Sequence, residues 1–230
     1  MSDSADRFAE ARAALVELVR ERAAGDLVVH DLSERVAAAL ARVPRHAFVL
    51  PEDVDRAYLD RPLSIGHGQT ISQPTVVAMM TELARPGPDD AVLEVGTGCG
   101  YQTAVLAELA RHVWSIELVP ELARDASARL ARLGYENVSV REGDGWQGWP
   151  EHAPYAAIVV TAGAPEVPPP LVEQLAPGGR LVIPVDAGAF GQELLLVEKD
   201  ARGGLRRRSV APVAFVPLRR GVRASGAGST

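Results

Sequence analysis

The chain has 230 residues, and its 24 Lys and Arg against 30 Asp and Glu leave a net charge of −6 at pH 7. With 47% hydrophobic and 23% charged residues, it reads as globular rather than disordered, and it is long enough to bury a core without staples. The acidic balance gives no support for binding nucleic acid or an anionic membrane. No apolar run reaches the roughly 18 residues of a membrane span. The lone Cys99 excludes an intrachain disulfide framework and fits a reducing cytoplasm.

The acidic start, residues 1–6, leads into a charged helix rather than an apolar signal core. Phe8, Ala11, Leu15, Leu18 and Val19 form one stripe of an amphipathic helix over 8–22. Asp31 and Glu34 have the capping-box spacing, and Val36, Leu40 and Val43 carry a second helix that Pro44 stops. Residues 45–73 read as irregular, and a connection of that length is usually functional. A third helix is expected over 75–84, with Val76, Met79, Met80 and Leu83 inward as core filling.

After Pro86-Gly87-Pro88 strands alternate with helices. Strands are expected over 91–95, 113–117, 137–141, 155–161 and 180–185, with helices over 101–111, 120–133 and 171–175 between them. Two further strands, 193–199 and 209–216, flank Gly203-Gly204 and imply an antiparallel edge. Alternation of this kind builds a mostly parallel sheet covered on both faces. The arginine clusters at 206–208 and at Arg219, Arg220 and Arg223 read as solvated surface, and residues 224–230 as a frayed end.

The chemistry-bearing element follows the first strand of this alternation: Glu94-Val95-Gly96-Thr97-Gly98-Cys99-Gly100-Tyr101. Alternate glycines let the backbone turn sharply and bring N–H groups to a ligand at a helix N-terminus. The spacing is Gly-x-Gly-x-Gly, as in the loops with which methyltransferases cradle the amino-acid part of S-adenosylmethionine, and differs from the Gly-x-Gly-x-x-Gly of dinucleotide enzymes. Glu117 ends the next strand about 20 residues on, where an acid can accept both ribose hydroxyls. It could also be a charge at a helix start before Pro120. Asp144, between Gly143 and Gly145, suits an adenine amino group or a turn. Cys99 is read as a small side chain that fits the loop, not as a nucleophile.

Several stretches resemble the protein-L-isoaspartate O-methyltransferase family. They include Gly68-Gln69-Thr70-Ile71-Ser72-Gln73-Pro74, then 93–103, 143–149, 158–162 and 175–185. Val43-Pro44-Arg45 with Phe48, and Phe215-Val216-Pro217-Leu218, extend the likeness over most of 36–218. Cys99 stands where that family usually has serine, and the tail beyond Leu218 carries nothing over. The resemblance implies a class I S-adenosylmethionine-dependent methyltransferase (Rossmann-like) α/β fold: a mostly parallel seven-stranded sheet with an antiparallel edge element and an N-terminal helical cap. A single domain over 1–230 is expected, with helices and substrate loop in 1–85, the cofactor core in 86–218 and a tail in 219–230.

The resemblance further implies methyl transfer from S-adenosyl-L-methionine, leaving S-adenosyl-L-homocysteine, to the free α-carboxyl of L-isoaspartyl residues in damaged proteins and peptides. Gln69, Thr70, Ile71, Ser72, Gly96, Thr97, Gly98, Cys99, Gly100, Glu117, Asp144 and Gly145 would hold the cofactor. Ser72 would also hold the substrate carboxylate, unless it only caps the helix near Thr75. A carboxylate with an ordinary pKa of about 4 is already ionised at neutral pH and needs no base. His67 lies near the substrate loop and reads more simply as a partly exposed loop histidine, His46 and His112 have no partner pattern and receive no role, and no metal is expected. The glycine spacing disfavours a nicotinamide oxidoreductase. Thr161-Ala162-Gly163-Ala164-Pro165 lacks the motifs of nucleic-acid methyltransferases, and the intact substrate loop argues against a non-catalytic binding module. The alternative is a related enzyme acting on an aspartyl carboxylate of a dedicated partner. A cytoplasmic monomer, without nucleic acid or membrane, is expected.

Overall fold

The computed structural model describes residues 7–25 and 31–221. The expected fraying of 224–230, the acidic start 1–6 and Arg223 lie outside them.

Two helices, α1 (Ala9–Gly25) and α2 (Glu34–Arg42), form the N-terminal layer. Ser33, not Asp31, is the N-cap of α2: its hydroxyl accepts from the Val36 N–H, while Glu34 turns outward to pair with Arg20 of α1 at 2.7 Å. The apolar stripes of both helices (Leu15, Val19, Val36, Leu40) are buried in one cluster with Ile65, Ile71, Val77 and Tyr101.

The segment expected to be irregular has structure of its own. Two 3₁₀ turns, Arg45–Phe48 and Pro51–Arg56, precede a hairpin of β1 (Leu63–Gly66) and β2 (Gln69–Ile71). Its tip takes positive φ at His67 and Gly68, the backbone that a tight two-residue connection requires. Arg45 is buried and organises this region. Its Nε donates to the Ala57 carbonyl at 2.8 Å, and its guanidinium lies 4.8 Å from the Tyr101 ring centroid. α3 (Pro74–Ala84) follows, with Met79, Met80 and Leu83 buried as core filling.

The sheet comprises β3 (Ala91–Val95), β4 (His112–Glu117), β5 (Val138–Glu142), β6 (Tyr155–Val160), β7 (Leu175–Asp186), β8 (Gln192–Lys199) and β9 (Leu205–Val213). Its order is β5-β4-β3-β6-β7-β8-β9, with β7–β8 and β8–β9 antiparallel and the other pairs parallel. The helices α4 (Tyr101–Ala107), α5 (Pro120–Arg132) and α6 (Pro169–Glu173) connect the parallel strands. Val92, Leu93, Val95, Ile158, Val159 and Val160 are fully buried, as strands covered on both faces must be. The class I methyltransferase-type fold is as expected, with shifted edges. β9 begins at Leu205 because its first arginines project to solvent from an edge strand, and β7 begins at Leu175 across a register shift opposite β6. No helix among the described residues is long and apolar enough to cross a membrane.

The chain leaves β3 towards β4 on one side and leaves β6 towards β7 on the other. The two loops diverge, and a crevice opens at the carboxyl ends of these strands, where open α/β sheets bind ligands.

Candidate active site

The glycine loop lies in that crevice. Gly96 and Thr97 donate to the carbonyl of Ile116 at 2.8 and 3.3 Å, which ties the loop to the end of β4. Gly96 has φ +97°, and a Cβ there would stand 2.4 Å from Thr161 Oγ1. Thr161, just beyond β6, donates to the carbonyls of Val95 and Gly96 at 3.2 and 2.6 Å and so closes the crevice floor. Only glycine satisfies both the backbone and the space at that position.

Beneath the loop is a buried polar chain. Thr97 Oγ1 lies 2.6 Å from Ser115 Oγ, which donates to Glu94 Oε2 at 2.6 Å, and Thr103 donates to the same oxygen. Glu94 is fully buried, and desolvation pushes its carboxyl up to about 8. Its Oε1 has no partner among the described residues.

Glu117 stands at the end of β4, 7% exposed. Its Oε2 accepts from the Gly98 N–H at 2.7 Å and its Oε1 from the Val119 N–H at 3.0 Å. Each oxygen retains a lone pair for a ligand hydroxyl. Asp144 Oδ1 accepts from the Trp146 N–H at 2.9 Å and caps a 3₁₀ turn. A Cβ on the adjacent Gly145 would meet Val95 Cγ1 at 2.3 Å, so the backbone is pressed onto β3.

All of the anticipated residues except Gly100 and Asp144 line one cleft of about 840 Å³. Gln69, Thr70, Ile71 and Ser72 form one wall, and Gly96, Thr97, Gly98, Cys99, Glu117 and Gly145 form the other. Gly100 sits behind the loop as the N-cap of α4, packed near Leu130. Asp144 is at the rim, next to Gly221.

Ser72 is not the cap of α3. The N-cap position is Gln73, whose side chain makes no capping bond. The Thr75 N–H is taken instead by Asp60 Oδ1 at 2.9 Å. Asp60 Oδ2 accepts from Thr75 Oγ1 at 2.8 Å and from Gln73 Nε2 at 3.0 Å. The half-buried Ser72 therefore faces two connected cavities: the cleft, and a groove of about 1400 Å³ that shares Thr70, Ser72, Thr161 and Val216 with it.

Sequence reasoning missed three contributors. Asp60 is an isolated acid with no spacing signal. Thr161 lies inside the 158–162 stretch, but nothing in that stretch marks its hydroxyl as a tie. The third is the segment after β9: Val216 to Arg219 line the cleft, held by Gly163 N–H to Val216 O at 2.8 Å and Leu218 N–H to Gly163 O at 2.7 Å. Arg219 and Arg220 are exposed as expected, but Arg220 also lies 3.9 Å from the Trp146 ring centroid.

Among the described residues Glu117 is the one carboxylate that lines the cleft, and no histidine lines it. Burial pushes the Tyr101 hydroxyl up to about 12 and raises the Cys99 thiol. His67 is exposed at the hairpin tip, His46 stacks on Phe8, and His112 bonds Ser139, all outside the cleft. The geometry suits transfer to a nucleophile that arrives already deprotonated.

Comparisons with known proteins agree with this geometry. Protein-L-isoaspartate O-methyltransferase 2 of Syntrophobacter fumaroxidans is 54% identical over 216 residues, covering 93% of this chain and 87% of that protein. Its namesake from a Polaromonas species is 59% identical over 187 residues, 81% of this chain and 89% of its own. Among solved structures, a protein-L-isoaspartate O-methyltransferase matches with a TM-score of 0.77 and 30% identity, over 90% of this chain and 65% of that one. A Plasmodium falciparum chain assigned to the same enzymes, in complex with S-adenosyl-L-homocysteine, matches with a TM-score of 0.78 and 25% identity, over 91% of this chain and 99% of its own. Residues 16–223 match the family model of protein-L-isoaspartate(D-aspartate) O-methyltransferase (PCMT), and the chain belongs to that family.

Proposed function

We propose that the protein transfers the methyl group of S-adenosyl-L-methionine to the free α-carboxylate of L-isoaspartyl residues in damaged proteins and peptides. The observation that carries this is the cleft itself: a glycine-loop cradle facing a hydroxyl-bearing hairpin, with no histidine among its described lining residues and its carboxylate, Glu117, tied to backbone N–H groups. The cleft fits the cofactor in its donor set, because the backbone of Gly96 to Cys99 and the carboxylate of Glu117 line it together. Loop residues Gly96 to Gly100 would hold its amino-acid end, Glu117 its ribose, and Asp144 with Gly145 its adenine. Gln69, Thr70 and Ile71 would cover it.

When bound, the cofactor supplies an electrophilic methyl on a sulfonium. Ser72 would donate a hydrogen bond to one carboxylate oxygen and leave the other free to attack. The hairpin and the 216–219 segment would exclude water from between them. The contribution is mainly positioning. The new ester bond forms at that oxygen as the bond from sulfur to methyl breaks, and no proton moves.

The relatives described above are named for isoaspartate, so a dedicated aspartyl substrate is not favoured. Labelled S-adenosylmethionine with paired isoaspartyl and aspartyl peptides tests the function: base-labile label is expected on the isoaspartyl peptide. Label on the aspartyl peptide alone overturns it. We also place the enzyme in the cytoplasm, supported by its free, buried Cys99, and as a monomer. For the latter, the exposed large hydrophobics Leu59, Leu133, Phe190 and Leu205 stand on separate segments among the described residues.

A further inference from the structure

We propose that Arg22 is a specificity-determining residue that favours isoaspartyl peptides carrying a carboxylate side chain beside the damaged residue. The proposal rests on the function proposed above and concerns the groove beyond Ser72. That groove adjoins the cofactor cleft, with Thr70, Ser72, Thr161 and Val216 lining both. A peptide whose isoaspartyl carboxylate reaches Ser72 must lay its neighbouring residues there. The opposite wall is neutral, formed by Ala211 to Val216 at the end of β9 and just beyond it, and Arg22 is the only charged side chain among the described residues that line the groove.

Arg22 comes from the last turns of α1 and is held by Asp60, with Nη1 2.9 Å from Oδ2. Asp60 engages Nη1 of that guanidinium. That carboxylate is 2% exposed and already accepts three hydrogen bonds from Gln73 and Thr75, at the N-terminus of α3. One of these donors is the Thr75 backbone N–H at the helix end, where a negative charge is favoured. The Arg22 side chain is 46% exposed, and a planar group with five donors can serve a second carboxylate alongside the first. Asp60 thus fixes the direction of Arg22, and a solvated cation is presented to whatever lies in an otherwise neutral groove. On a chain of net charge −6, this gives an acidic peptide a local partner that the overall field does not.

The test uses isoaspartyl hexapeptides that differ at one flanking position, which carries Glu, Gln or Lys, with each flanking position varied in turn. For the parent, KM is expected to be about two- to fivefold lower with Glu than with Lys at one or more positions, the size of a partly exposed ion pair, with kcat unchanged. Arg22→Gln should abolish that preference, Arg22→Lys should keep it, and affinity for S-adenosylhomocysteine should stay at the parental value in both. Raising salt from about 0.05 to 0.5 M should bring the parental KM ratio towards one, because exposed charges are screened. This arm needs no variant and stands even if Arg22→Gln fails to fold. A parent without charge preference, a preference that survives in Arg22→Gln, or one insensitive to salt would overturn the proposal. Absence of methylation on every isoaspartyl peptide would instead overturn the function itself.

Discussion

The two walls of the cleft are built by different means. The cofactor wall is almost all backbone: Gly96 and Thr97 are pinned to the Ile116 carbonyl, and Glu117 ties Gly98 and Val119 through their N–H groups. It spans about one strand-loop-helix unit and its neighbour. The wall proposed for the substrate is assembled from distant pieces: the hairpin with Ser72, the buried Asp60, Arg22 of α1, and the segment after β9. A wall made of backbone tolerates few residues at each point and fails abruptly when one is changed. A wall of side chains from separate elements loses function by degrees.

The largest effect should come from the backbone wall. Gly96→Ala puts a methyl group where Thr161 Oγ1 stands, at a φ of +97°. Strain of about 1–3 kcal/mol plus the clash should displace the loop, so that calorimetry detects no cofactor binding. Binding within tenfold of the parent would break the contrast between the walls.

The buried acid beneath that loop should show in the pH dependence of stability. Desolvation raises the folded pKa of the Glu94 carboxyl to about 8, well above the ordinary carboxylate range. Its contribution is therefore fully present below the unfolded value and is lost as pH rises through the folded one. Stability should fall from about pH 5 to pH 8 by an amount on the order of a few kcal/mol, and Glu94→Gln should flatten that fall. Melting of both proteins across this range checks it; parallel curves would show that Glu94 is ionised in the folded state.

Glu117→Ala removes a charged acceptor from the loop and, by the proposed role, from the ribose. The charge-assisted bonds are worth about 1.5–3 kcal/mol, a rise of about 10- to 150-fold in cofactor Kd. An unchanged Kd would reduce Glu117 to a loop tie. Ser72→Ala is expected to act on the other wall alone. Loss of one hydrogen bond to a charged carboxylate should lower kcat/KM by about tenfold or more, with cofactor Kd within about twofold. Because Asp60 rather than Ser72 caps α3, the thermal midpoint should barely move. Parental turnover on isoaspartyl peptides would remove Ser72 from the substrate site.

The same contrast explains what could be read from the sequence. The glycine loop is consecutive in the chain, and Glu117 follows at the distance one βαβ step imposes, so local pattern exposed both. The strand–helix alternation exposed the sheet and its antiparallel edge for the same reason. β1 and β2 are four and three residues long, too short for alternation to register. The cap of α2 lies two residues beyond Asp31, at Ser33, and Glu34, the expected reciprocal partner, is spent on Arg20. Asp60 acts on residues 13 to 15 positions away, and the segment after β9 meets the cleft through Gly163, far back in the chain. No periodicity or spacing encodes contacts of that kind, and Ser72 was found only through the family resemblance.

The segment after β9 also bears on how the protein is made. Synthesis delivers the hairpin, the glycine loop and Glu117 early, and the strap over the cofactor late, since Val216 to Arg219 follow every strand of the sheet. A nascent chain whose β9 has just cleared the ribosome thus has a cradle with one side open. By the roles proposed above, the cofactor can stabilise the native state fully only after Val216 to Arg219 have been released, so the sheet forms ahead of the complete site.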